Sequence, residues 1–256
     1  MSDLIEPLGP SGPPTGPAEL LAGAGIAPGQ APPEGPEGPG RPRVMGVMVA
    51  SIDGRAAVQG HAGGLSSPAD RTHYRSLRTA SDACLVGPTT LIAESYSTLL
   101  DPHQREQREA LGLPAEPLLA TISRRLDPRL AELEIFNIPG RPVMVYTESA
   151  GELPPVTGEV QVVRFAPGEL TPAACVADLA AGGVGLLLCE GGPSLLGALF
   201  AEGLVDDLFL TVSARLVGGD APSIVTAPVF DPPEGMALRS VGRSGEDLFL
   251  HYAAAG

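Results

Sequence analysis

Glu190 stands at the end of an uninterrupted apolar run, Val184–Cys189, and is followed at once by Gly191, Gly192, Pro193 and Ser194. A carboxylate in that place is available for acid–base or electrostatic work on a bound small molecule. The two glycines let a ligand approach the backbone. A helix starting at Pro193 turns its free N–H groups and the Ser194 hydroxyl toward the same point, which suits a phosphate. A tight strand-to-helix turn with no ligand would use the same residues, because glycine supplies the φ angles it needs. A second such turn, LVGPTTLIAE from Leu85 to Glu94, puts Gly87 after a short apolar run and opens a helix at Thr89 or Thr90. A Thr-capped helix is its plain alternative. Two such turns in one sheet would suit two anionic groups of one ligand, such as a pyrophosphate. Ser123, Arg124 and Arg125 form a local positive spot after a third strand, either a solvated surface pair or the seat of a further phosphate. Asp53 lies in an S-I-D-G turn, where Asp-Gly favours a hairpin and the carboxylate could also serve as an acid. Arg78 ends a helix, as a salt-bridge partner or as the grip on an anionic substrate.

The elements that must position these groups alternate. RVMGVMVA from Arg43 is a strand. Helix SSPADRTHYRSLRTA follows, with Ser67 as N-cap, Pro68 at N1 and Asp70 at N3 approximating a capping box. DACLVG, EPLLATIS, RPVMVYT, VQVVRF and VGLLLCE read as further strands. PHQREQREALG reads as an exposed charged helix, TPAACVADLAAGG as a helix, and PSLLGALFAEG as a helix stopped by Gly203. DDLFLTVSARLVGG reads as one long strand and DLFLHYA as a closing one. Strands apolar at nearly every position and interleaved with helices predict an α/β fold, with a mainly parallel sheet covered on both faces. The last two strands lack a helix between them and predict an antiparallel edge. Ligands bind beyond the carboxyl ends of such strands. The G-x-G-x-x-G spacing of the common dinucleotide fold is missing.

Composition narrows the function. A net charge of −14 repels phosphate backbones, so nucleic-acid binding is disfavoured, and an anionic ligand needs local positive groups. No apolar run is long enough to span a bilayer. The start, MSDLIEPLGP, has two acids and no basic segment, unlike a secretory signal. Cys84, Cys175 and Cys189 show no metal-binding spacing, and a reducing, cytoplasmic location fits them. Residues 1–42 are dense in Pro, Gly and Ala and read as a mostly disordered tail, with PAELLAGAGI as a turn of helix that could dock on the body at 43–256.

VASIDGRAA, GGLSSPADRTHYRSLRTASDACLVGPTTLIAE and LLLCEGGPSLLGALFAEGLVDDLFLTVSARLVGG together resemble, in order from Arg43 to Tyr252, the C-terminal reductase domain of bacterial riboflavin biosynthesis, the pyrimidine reductase family. The resemblance implies a dihydrofolate-reductase-like three-layer α/β/α fold. It also implies NADPH-dependent hydride transfer to the ribosyl C1′ of a ribosylamino-pyrimidine phosphate, and a homodimer. By the same resemblance Val49 and Ala50 line the nicotinamide side, Gly87 and Thr90 contact the cofactor with Glu94 near it, and Ser123 faces the adenosine end, next to Arg124, which as part of the local positive spot could hold the ribose 2′-phosphate of NADP. Gly191, Gly192, Pro193, Ser194 and Leu195, within the run to Ala198, hold the pyrophosphate; Glu190 and Arg78 contact substrate, and Asp53 joins Glu190 as a catalytic candidate. The zinc deaminase signature of the bifunctional riboflavin enzyme does not occur in this sequence. Three departures stand out: Glu94 replaces the family's first aspartate, Tyr96 replaces its proline, and Asp101 falls where an arginine grips the substrate phosphate. Reduction of dihydrofolate or another pterin-like heterocycle, and non-catalytic NADP binding, are the alternatives.

Overall fold

In the computed structural model the described residues are 38–255, preceded by Ala22, Ala24–Ile26, Pro28 and Glu34–Gly35. The body is one nine-stranded sheet. In chain order its elements are β1 (Arg43–Ser51), α1 (Pro68–Ala80), β2 (Ala83–Leu85), α2 (Pro88–Ala93), α3 (Pro102–Ala110), β3 (Leu118–Ile122), β4 (Pro142–Thr147), β5 (Glu159–Arg164), α4 (Pro172–Ala181), β6 (Leu186–Cys189), α5 (Pro193–Ala201), β7 (Asp207–Ser213), β8 (Met236–Ser244) and β9 (Asp247–Ala254). The strands lie in the order β8-β9-β7-β1-β6-β2-β3-β4-β5. From β7 to β5 every pairing is parallel, while β7–β9 and β9–β8 are antiparallel.

Residue alternation within the strands sorts side chains into two cores, one per face. Met45, Cys84, Leu188 and Val145 join Leu77 and Ala80 of α1 and Leu91 of α2. Val44, Leu85, Leu187 and Tyr146 join Cys175 and Leu179 of α4 and Leu196 and Leu199 of α5. This is a three-layer α/β/α arrangement, and the mainly parallel sheet with an antiparallel edge is as the apolar strands predict.

Several local expectations are corrected. The long strand from Asp206 stops at Ser213, because beyond it the backbone bonds to side chains: Ala214 N–H donates to Asp247 and those of Val217 and Gly218 to Asp53. Strand β8 has no counterpart in the sequence reading; it is an edge strand, largely exposed, with a register shift between Leu238 and Ser240. Helix α2 opens at Pro88 with Gly87 as N-cap, so neither Thr89 nor Thr90 caps it. Helix α3 is charged but not wholly exposed. Its Arg108 is fully buried and donates to the carbonyls of Thr79, Ser81 and Pro114, closing the C-terminal end of α1. Ser67 caps α1 by accepting from Asp70 N–H, but the Asp70 carboxylate accepts from Ser66 Oγ instead of closing the box.

Most of the expected disordered tail, and Pro17–Leu21 of the expected docking turn, lie outside the described residues. Ala24–Ile26 do dock: Ile26 is buried in the α1-side core and Arg43 donates to the Ala24 carbonyl while paired with Asp207. Among the described residues no helix is long and apolar enough to cross a membrane.

Candidate active site

A cavity of about 500 Å³ opens at the carboxyl ends of β1 and β6. Its walls are the end of β1 (Val47–Val49), the flap after β1 (Ala56, Ala57, Gly60, Ala62, Gly63), the first turns of α1 (Ser66, Asp70, Arg71, Tyr74), α2 with the segment to Thr98, Glu190, and the start of α5. The flap residues are small, which leaves width for a flat ring.

The floor is an ion pair. Glu190 leaves β6 and Arg78 comes from the last turn of α1, and Arg78 Nε and Nη2 each donate to one Glu190 oxygen at 2.5 Å. Arg78 Nη1 donates to the Leu99 carbonyl at 3.0 Å, and the Tyr96 hydroxyl donates to Glu190 Oε2 at 2.8 Å. The guanidinium lies over the rings of Tyr74 and Tyr96, 4.8 and 5.3 Å from their centroids. Burial works against the Arg78 charge, but Glu190 overcomes it and holds its pKa well above normal. Burial, then Glu190, push the Tyr96 phenol and the Cys84 thiol well up, so both keep their protons. The sequence alternatives for Arg78 resolve to a satisfied buried charge with Glu190 as partner.

The two glycine turns meet. Gly87 N–H donates to the Gly191 carbonyl at 2.8 Å. A Cβ on Gly192 would lie 2.8 Å from Thr90 Oγ1, and one on Gly191, whose φ is 80°, would lie 2.9 Å from Met48 Sδ. The glycines are therefore demanded first by the contact of the turns with each other and with β1. The Gly191–Gly192 peptide is cis. Together the turns present Gly192, Pro193, Thr89 and Thr90 to the cavity as a small-residue wall at two helix starts.

Among the residues singled out from sequence, Val49, Thr90, Glu94, Glu190, Arg78, Gly192 and Pro193 line this cavity. Ala50, Gly87, Gly191, Ser194 and Leu195 flank it without forming its walls. Ser123 and Arg124 end β3 farther along the same sheet edge. There Ser123 Oγ accepts from Asp127 N–H, and Arg124 pairs with Glu148 and donates to the Leu170 carbonyl. Glu94 fastens the flap by accepting from Ala62 N–H at 2.8 Å. Asp101 is the N-cap of α3, in a capping box with Gln104. Asp53 is outside the cavity. It accepts from Ser51 Oγ at 2.5 Å and from the amides of Gly218 and Val217 at 2.7 and 3.1 Å, and these bonds lower its pKa to about 2.

Tyr74, Tyr96, Arg71 and the flap were not singled out as site residues. Tyr96 and Arg71 carry no local pattern that separates them from ordinary loop and helix-surface residues. The run of Ala and Gly from Ala56 to Gly64 was the one legible sign of a thin flap.

Sequence and structure comparisons agree with this architecture. The family profile described as the RibD C-terminal domain matches residues 42–250, and the chain belongs to this family. The riboflavin biosynthesis protein RibD of Escherichia coli (strain K12) is 28% identical over 224 residues, covering 84% of this chain and 61% of that protein. The chain thus spans about six tenths of that relative's length. The 2,5-diamino-6-ribosylamino-4(3H)-pyrimidinone 5′-phosphate reductase of Archaeoglobus fulgidus is 27% identical over 195 residues, covering 74% of this chain and 89% of that one. Among solved structures, a pyrimidine reductase-like protein from Corynebacterium diphtheriae superposes with a TM-score of 0.72 at 26% identity, over 84% of this chain and 92% of that chain.

Proposed function

We propose that this protein is an NADPH-dependent pyrimidine reductase of riboflavin biosynthesis, reducing the ribosyl C1′ of a ribosylamino-pyrimidine phosphate. The observation that carries the reading is the meeting of the Gly87 and Gly191–Gly192 turns in the wall of a cavity floored by the Arg78–Glu190 pair. That wall suits a dinucleotide: it is built of the small residues Gly192, Pro193, Thr89 and Thr90 at two helix starts. When bound, the reduced nicotinamide supplies the hydride. Val49 and Ala50 would flank the ring, Gly87, Thr90 and the 191–195 turn would hold the pyrophosphate, and Ser123 and Arg124 would hold the adenosine end.

The chain's own work is orientation and electrostatics. Reduction at C1′ requires the sugar to open to an imine, with the ring oxygen taking a proton. The Glu190 carboxylate, fixed by three donated hydrogen bonds, is a preorganised negative group that favours the cationic form of that imine. Tyr96 keeps its phenolic proton against Glu190. Glu94 closes the flap. Asp53 takes no part in proton transfer in this reading: its carboxylate clasps the 214–219 loop and stays ionised near neutral pH. The three cysteines, each buried and unpaired, support a reducing compartment. The homodimer is carried over from the family resemblance; light scattering reading a monomer at micromolar concentration would reject it.

The test is steady-state oxidation of NADPH with the deaminated ribosylamino-pyrimidine phosphate and, in parallel, dihydrofolate. Turnover of the pyrimidine by the wild type, lost in Glu190→Gln, is the expected result. Turnover of dihydrofolate alone would replace it with the pterin reductase reading. NADPH binding without oxidation of either would leave a non-catalytic binding protein.

A further inference from the structure

Two basic side chains line the cavity, Arg71 and Arg78, against three carboxylates, Asp70, Glu94 and Glu190. Arg78 is spent. Two of its nitrogens are on Glu190 and the third is on a backbone carbonyl, with 8% of the side chain exposed. The segment Glu94–Thr98 brings one carboxylate and no cation, and Asp101 faces its own helix as a cap. Arg71 is different. It lies on the second turn of α1, is exposed, and makes a single side-chain hydrogen bond among the described residues, from Nη1 to the Ser66 carbonyl at 2.8 Å. That bond leaves Nε and Nη2 for a ligand. The nearest competing carboxylate, Asp70, is buried and already accepts from Ser66 Oγ. Burial raises the Asp70 pKa, and the Arg71 charge works against that rise without a hydrogen bond between the two side chains.

We infer that Arg71 is the residue that binds the phosphate end of the substrate, a specificity determinant of this cavity; the inference rests on the pyrimidine reductase reading. A guanidinium with two free N–H groups can take two phosphate oxygens in a planar fork. Among the described residues no other cation in the cavity wall is available, and the acidic field of the chain favours a local cation for a dianionic group. Bound there, the phosphate lies at the α1 side of the cavity, away from the Glu94 carboxylate that holds the flap.

The experiment compares the wild type with Arg71→Gln, Arg71→Lys and, as a control on the same helix outside the cavity, Arg75→Gln. Each is assayed on the phosphorylated pyrimidine and on its dephosphorylated counterpart, with KM for NADPH measured throughout. The expected result for Arg71→Gln is a roughly 10- to 100-fold fall in kcat/KM on the phosphorylated substrate, the scale of one lost charge-assisted contact. The dephosphorylated substrate should be little affected, Arg71→Lys should recover part of the loss, and Arg75→Gln should match the wild type. Wild-type kinetics in Arg71→Gln, an equal loss on both substrates, or a rise confined to the NADPH KM would overturn it. If the wild type itself reduces no pyrimidine, the reductase reading fails. Calorimetry with ribose 5-phosphate then decides Arg71 alone: binding lost in Arg71→Gln upholds the site, and absent or unchanged binding rejects it.

Discussion

Arg78 and Glu190 face each other beneath the cavity with two parallel contacts of 2.5 Å, their side chains only 8% and 5% exposed. Removing one partner strands the other charge in the interior, which costs about 3–5 kcal/mol, far more than the pair is worth against an apolar replacement. Glu190→Ala and Arg78→Ala are expected to unfold at clearly lower denaturant concentration. Arg78→Met with Glu190→Leu should recover most of the loss while remaining inactive. Urea melts of the four proteins check this; a double variant as unstable as the sum of the singles would contradict it.

Gly192 and Thr90 set a second test. A methyl group on Gly192 falls 2.8 Å from Thr90 Oγ1. Gly192→Ala should therefore lower the melting temperature and weaken NADPH binding by prising the two turns apart. Thr90→Ala in the same chain removes the obstructing oxygen and should restore much of the melting temperature. No recovery would mean that the glycine answers to something other than this contact.

His73 gives a pH signature. Burial, with His251 adding to it, lowers its pKa from the usual 6.5 to about 4. The ring packs against Phe209 and Phe249, and its Nδ1 has no hydrogen-bond partner. Because the folded value lies below the unfolded one, the neutral ring costs nothing above pH 6.5. Stability then falls as pH drops toward 4, by as much as about 3 kcal/mol. His73→Phe is expected to flatten the melting temperature across that window, measured by calorimetry at constant ionic strength.

Asp53 acts at lower pH and with the same sign. Its folded pKa is about 2 against the usual 3.8, from the Ser51 hydroxyl and the Gly218 and Val217 amides. The stabilisation is therefore complete above the unfolded value and lost as pH falls toward 2. Asp53→Asn should melt below the wild type at pH 6 and converge with it near pH 2. On the proposed reading, in which Asp53 clasps the 214–219 loop, NADPH oxidation by the variant should keep its pH profile. A profile displaced in Asp53→Asn would return it to the list of acids.

Most of the sheet was legible because a parallel strand is apolar on both faces, as in RVMGVMVA and VGLLLCE. The end of such a strand also says where ligands bind, so the positions of Glu190 and the glycine turns could be read. Strand β8 could not be read. MALRSVGRS is half polar because its outer edge meets solvent, and its partner comes only later in the chain. Arg78 and Glu190 were each visible, but their pairing joins residues 112 apart in sequence. Tyr96 shows the same limit: its hydroxyl matters only because the fold brings it to Glu190. Asp53 read equally as turn or acid, and the 214–219 loop that folds onto its carboxylate brings Val217 and Gly218 from 164 and 165 residues further along the chain.

Strand order has a kinetic and thermodynamic consequence. The cavity draws on Val47–Val49, on Thr89, Thr90 and Ala93–Thr98, and on Glu190, Gly192 and Pro193, and they become neighbours only when β6 inserts between β1 and β2. Such insertion closes long loops and belongs to the slow, late part of folding. Chains halted before it have no binding wall to offer, so the dinucleotide of the proposed function would select the finished fold alone. By mass action, saturation at 100 times Kd then adds about 2.7 kcal/mol to the folded state. On the proposed function, part of this protein's resistance to unfolding would be held by its ligand rather than written in its own chain.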